Sequence, residues 1–150
     1  MQIRFEIDDF GDEAASLQAV SDGRAPEEPY HLWGRVLLEQ EGQPTVVIDD
    51  DMTLLGLALC ADVPAALRRD GRAQLRLAGW PGSYSFVAEG GVVHLTGSKD
   101  TDVRLDQAEL LQGLHACGQR LAAFIQTLAV SCPQYGKAGR VLAANLADRG

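Results

Sequence analysis

LDQAELLQGLHACGQRLAAFIQTLAV, residues 105–130, repeats its apolar side chains at spacings of three and four. Leu110, Leu114, Cys117, Leu121, Phe124, Ile125 and Leu128 fall on one stripe of an α-helix roughly six or seven turns long, while Gln107, Gln112, Gln119, Arg120 and Gln126 take the other sides. Asp106 is placed to cap the first amides, with Glu109 three residues on in the reciprocal position. Pro133 stops the run. A helix with so wide an apolar stripe needs a sheet or other helices to cover it, and the remainder of the chain reads as that sheet.

Working outward, residues 2–8 alternate, with Ile3, Phe5 and Ile7 facing one way and Gln2, Arg4, Glu6 and Asp8 the other, the mark of a half-buried strand. Residues 9–29 are acidic, contain two prolines and two glycines, and read mostly as loop, with Leu17, Ala19 and Val20 as a candidate extra strand. His31–Gln40 alternates again, Leu32, Val36 and Leu38 against Trp33, Arg35, Leu37 and Glu39, and the turn at Glu41, Gly42 and Gln43 leads into Thr45–Ile48 as an antiparallel hairpin. Two short helices follow, over Met52–Ala61 and from Pro64 to Gly71. Strands at Ala73–Ala78, Ser83–Glu89 and Val92–Thr96 then make a meander, with a last short strand at Val103–Leu105 as an option. The expected architecture is α+β: an antiparallel sheet of about five or six strands with the long C-terminal helix, about 105–131, on one face and one or two short helices in the middle. Residues 1–133 form a single domain in this reading. Residues 134–150 are a tail or short appended helix whose stripe of Val141, Leu142 and Leu146 needs a partner, either this domain or another chain.

Composition bounds the rest. The 150 residues are 46% apolar, enough for one domain to bury about two thirds of its unfolded surface without staples. The first residues, MQIRFEIDDFGDE, contain neither a basic nor an apolar leader segment, and no apolar run approaches membrane-span length, so a soluble cytoplasmic chain is expected. Cys60, Cys117 and Cys132 are odd in number, lack a CxxC spacing and read as free structural thiols.

Charge is divided unevenly. Residues 1–51 hold thirteen acids against three arginines, a net of -10, whereas residues 52–150 hold eight acids against ten bases, a net of +2. A negative lobe repels nucleic acid and anionic membrane and attracts basic partners. There is no G-x-S-x-G, G-x-G-x-x-G or G-x-x-x-x-G-K, and His31, His94 and His115 lack ligand spacing. The Asp49, Asp50, Asp51 run is the one constellation with catalytic potential, since carboxylates at a strand end hold Mg²⁺; the same residues before a helix also serve as caps. Trp33, on the strand face away from Val36 and Leu38, and Trp80, in the turn Gly79-Trp80-Pro81-Gly82, are either core residues or anchors for a protein partner.

A compact acidic chain that begins directly on a strand with IRFEIDDFG, continues through a sheet meander and ends on one long helix resembles the small immunity proteins of bacterial contact-dependent inhibition and polymorphic toxin systems. The resemblance is one of overall character across residues 1 to about 131. It implies a non-enzymatic inhibitor of a cognate toxin domain, often a nuclease, that covers the active site or basic groove. On this expectation Asp8, Asp9, Asp12, Glu13, Glu27, Glu28, Asp49, Asp50 and Asp51 are the candidate contacts and Trp33 and Trp80 the anchors, with no catalytic residue, metal ligand or cofactor. Two alternatives stand beside it: a metal-dependent hydrolase using Asp49–Asp51, and a general protein-interaction subunit that self-associates through its C-terminal helix.

Overall fold

The computed structural model describes residues 1–149. The strands number eight among the described residues, in two four-stranded antiparallel sheets, where the sequence predicts one sheet of five or six. The first sheet has the order β2-β1-β3-β4, from β1 (Gln2–Ile7), β2 (Gly11–Asp12), β3 (Trp33–Glu39) and β4 (Val46–Asp51). The second is a plain meander of β5 (Arg72–Arg76), β6 (Ser83–Glu89), β7 (Val92–Gly97) and β8 (Thr101–Asp106). The added strands are the two-residue β2 and the full β8, which runs on to Asp106 and takes the first two residues, Leu105 and Asp106, of the predicted helix.

The sheets meet through side chains rather than a hydrogen-bonded ladder. Gln40 and Gln43, at the β3–β4 turn, accept from the edge amides of Asp106 and Arg104, and the Gln40 amide donates to the Arg104 carbonyl. An exposed β8 edge is thereby closed against further pairing. Farther along the seam, the Lys99 ammonium donates to Asp49 and to the Val47 carbonyl of β4.

Helices cover the inward faces of both sheets. The helix α4 (Gln107–Ser131) is capped as its sequence predicts, with Asp106 accepting from the Glu109 amide at 2.9 Å, but the reciprocal half of the box is absent: Gln40 takes the Asp106 amide and Glu109 pairs with the chain's N-terminal amine. All seven predicted stripe residues are buried, and Phe124 meets the rings of Phe5 and Phe10. The segment read as loop with a possible strand at Leu17–Val20 instead holds helix α1 (Glu13–Ser21), because Asp12 accepts from the Ala15 amide and closes the first turn. Between the sheets a single helical run replaces the two short helices: α2 (Met52–Leu55), a π-helical segment (Gly56–Asp62) and α3 (Val63–Asp70). Pro64 cannot donate and its ring crowds the turn before it, and the wider π turn accommodates both, the Val63 amide reaching back to Ala58.

After a 3₁₀ turn at Pro133–Tyr135, α5 (Gly136–Arg149) packs on α4 and the π segment, burying Leu142 and Leu146 in the common core. The partner that its apolar stripe needs is thus the body of the same chain. Gly118 permits this approach, since a Cβ there would lie 2.8 Å from Cys60 and 3.0 Å from Leu146. Cys60, Cys117 and Cys132 are free and buried, and a hydrogen bond to the Cys117 thiol together with burial pushes the Cys60 thiol well above its ordinary value. No described helix is long and apolar enough to cross a membrane.

Candidate functional site

The consecutive aspartates at the end of β4 diverge, because alternation sends neighbours to opposite faces of a strand. Asp50 points inward, is 2% exposed, and accepts three backbone amides: its own neighbour Asp51, and Ala78 and Gly79 in the loop between β5 and β6. A buried carboxylate so saturated is a structural anchor, fixing that loop of the second sheet onto the first. Asp51 caps α2 by accepting from the amide and hydroxyl of Thr53, and its other oxygen lies 3.3 Å from His31 Nδ1. Asp49 points outward into a network with Arg35 and Lys99. Burial pushes the Asp49 carboxyl up, but hydrogen bonds from Lys99 and Arg35 outweigh it and hold the group below the ordinary carboxylate value. No group of three His, Cys, Asp or Glu residues with metal-binding geometry occurs among the described residues.

The loop that Asp50 anchors carries Trp80. Gly79 lies under the Trp33 ring so closely that a Cβ would fall 2.6 Å from it, which sets the two tryptophans side by side with ring centroids 5.4 Å apart. His31 stacks on Trp33 with ring centroids 5.0 Å apart, and Glu28 accepts from the Trp33 indole N–H. Trp80 is 53% exposed and Tyr30, in the loop leading to His31, 81% exposed. Beside the pair opens a cleft of about 600 Å³, bounded by β3 and β4 on one side and by the 77–82 and 98–99 loops on the other. Trp33, Trp80, Leu77 and Pro81 form its apolar walls, and Asp8, Asp49, Ser98 and Lys99 its polar rim. Tyr84 lines it from β6 and is 1% exposed, yet its hydroxyl has no hydrogen-bond partner. Burial raises the Tyr84 phenol above its usual value; Lys99 acts against that rise and Asp49 with it.

No protein family, curated protein or solved structure matches the chain.

Geometry alone therefore sorts the predicted contacts. Asp8, Trp33, Asp49 and Trp80 line one cleft, with Glu28 at the Trp33 indole, Asp51 behind His31 and Asp50 beneath. Asp8 is held by Arg35, which also binds Glu6 and Asp49. Asp9 is half-buried and Glu27 exposed, and neither forms an ion pair among the described residues. Asp12 and Glu13 lie outside the cleft, Asp12 as the α1 cap and Glu13 in an ion pair with Arg120 of α4. The sequence reading missed Tyr84, Lys99 and His31. Alternation along β6 places Tyr84 inward, but nothing local brings it to Trp33, about fifty residues away and in the other sheet. Lys99 carried one unused signal, a bulky residue in a hairpin turn where it and Asp100 both adopt positive φ, 60° and 55°.

Proposed function

We propose that this chain is an immunity-type inhibitor that binds a basic toxin domain through the face built around Trp33 and Trp80. The observation that carries the reading is the pairing of two adjacent tryptophans, one half exposed, with a surround of carboxylates from the first third of the chain. Large aromatic side chains that remain accessible are the usual energetic centre of a protein interface, and an acidic surround steers a basic partner into register. The fold supports the display: Asp50 and Gly79 hold Trp80 in place before any partner arrives, so little ordering entropy is lost on association. Many of the acids are already matched by Arg4, Arg35 and Lys99, so the steering charge resides chiefly in Asp9, Glu27, Glu28 and the exposed half of Asp8.

The test is to express the products of the genes flanking this one, take any basic domain among them, and follow its association with this chain at two ionic strengths. Binding faster at low salt, slowed by combined Asp8→Asn, Asp9→Asn, Glu27→Gln and Glu28→Gln replacement, is expected. Trp80→Ala is expected to weaken the complex by about 2 kcal/mol or more with the fold intact. An unchanged association rate in the fourfold variant would remove the electrostatic part of the reading, and unchanged affinity in Trp80→Ala would remove the anchor.

A further inference from the structure

Among the described residues that line the cleft, Tyr84 carries a buried polar group that the folded chain leaves unserved. Its side chain is buried, its hydroxyl is without a partner, and it belongs to the lining of an open cleft rather than to a sealed core. A buried polar atom left unmatched is unfavourable, and native proteins leave few; at a cleft, the group that matches it comes from a ligand. The walls above it are flat and aromatic. Around them stand the carboxylates of Asp8, Glu28, Asp49 and Asp51 against the cations of Arg35 and Lys99, an excess of negative charge. Lys99 is already engaged by Asp49 and the Val47 carbonyl, so it is not a free site for an anion.

We propose that the cleft receives an arginine side chain of the basic partner, its guanidinium against Trp33 and Trp80 and within reach of the Tyr84 hydroxyl as a buried acceptor. This rests on the immunity reading for the identity of the partner, though not for the chemistry of the cleft. Arginine fits better than lysine for a geometric reason: its planar fork stacks on an indole face while donating in several directions at once, whereas an ammonium is a compact, strongly hydrated point charge. Its aliphatic stem lies along Leu77 and Pro81.

The chain contains two tryptophans and both wall the cleft, so indole fluorescence reports on this site alone. Titration of the full chain with N-acetyl-argininamide, against N-acetyl-lysinamide at matched ionic strength, is expected to give a saturable change several-fold tighter for the arginine derivative. Tyr84→Phe is expected to weaken that binding about 10-fold, the loss of one hydrogen bond to a charged group, while leaving the thermal midpoint equal or higher because no internal bond is lost. The proposal is overturned by no saturable change with N-acetyl-argininamide, by equal binding to Tyr84→Phe, or by a lower midpoint in Tyr84→Phe. Capture of the neighbouring basic domain separates this inference from the reading it rests on. Arginine binding as described with no basic partner leaves the cleft assignment standing and removes the immunity reading. A basic partner bound equally by wild type and Tyr84→Phe, with no response to N-acetyl-argininamide, does the reverse.

Discussion

Asp50 is the residue on which the site turns. It stands at an inward position of β4, where the two preceding inward residues, Val46 and Ile48, are apolar, and it satisfies amides from both sheets. Asp50→Ala leaves the Ala78 and Gly79 amides without their acceptor and is expected to destabilise the fold by about 2–4 kcal/mol. Asp50→Asn retains one acceptor oxygen and is expected to lose less. Chemical denaturation measures both, and a shift of indole emission in Asp50→Ala at low denaturant would show the Trp33–Trp80 pair loosening ahead of the rest. An Asp50→Ala chain as stable as wild type would mean that the loop is held by other contacts. In the sequence, Asp49, Asp50 and Asp51 look alike; three different environments separate them, and only the capping role of Asp51 was legible from its place before a helix.

At the level of elements, α4 was the most legible part of the molecule, because a stripe of period 3.6 reports burial without reference to any other segment. The strands β1, β3, β6 and β7 were legible for the matching reason, their period of two. Helix α1 was not, since its buried side is only Ser16, Ala19 and Val20, a stripe too small to register. The π segment was equally hidden, since Pro64 announces a break rather than a wider turn, and its first residue, Gly56, packs against Leu121 of α4 and Leu142 of α5. That packing makes a prediction. Leu121→Ala removes a fully buried side chain and is expected to cost about 2–5 kcal/mol. Gly56→Ala, whose Cβ would fall 2.8 Å from Leu121, is expected to cost about 1–3 kcal/mol by overpacking. Combined, the two should cost less than their sum, because the truncated leucine vacates the space that the new methyl occupies. Strict additivity in a denaturation cycle would show that the segments do not share that contact.

Over the whole molecule, two sheets are joined along a seam of side-chain contacts, and charge is part of what holds it. The Asp49 carboxyl is held below its ordinary value of 3.8 by Lys99 from the opposite sheet and by Arg35. A group depressed in the folded state contributes stability above its unfolded value and loses it as pH falls through the folded one. The thermal midpoint is therefore expected to hold steady at mildly acidic pH and to decline below about 3.8. Lys99→Met should shrink that decline, and an unchanged acid profile in this variant would show that the pair contributes nothing across the seam. None of this seam was readable from sequence, since Asp49 and Lys99 lie fifty positions apart with no pattern connecting them. The division into two sheets was hidden for the same reason: strand patterning reports which side is buried, not which neighbour a strand takes.

Asp50 grips the 77–82 loop by its main chain, at the Ala78 and Gly79 amides, and ignores the side chain that comes next. The anchor and the displayed group are therefore chemically independent. Position 79 is confined to glycine by the Trp33 ring above it. Position 80 is open to exchange: a histidine, tyrosine or arginine there would be presented from the same mount, at the same height over the cleft. In a molecule built this way the exposed side chain can vary while the main-chain mount beneath it stays the same.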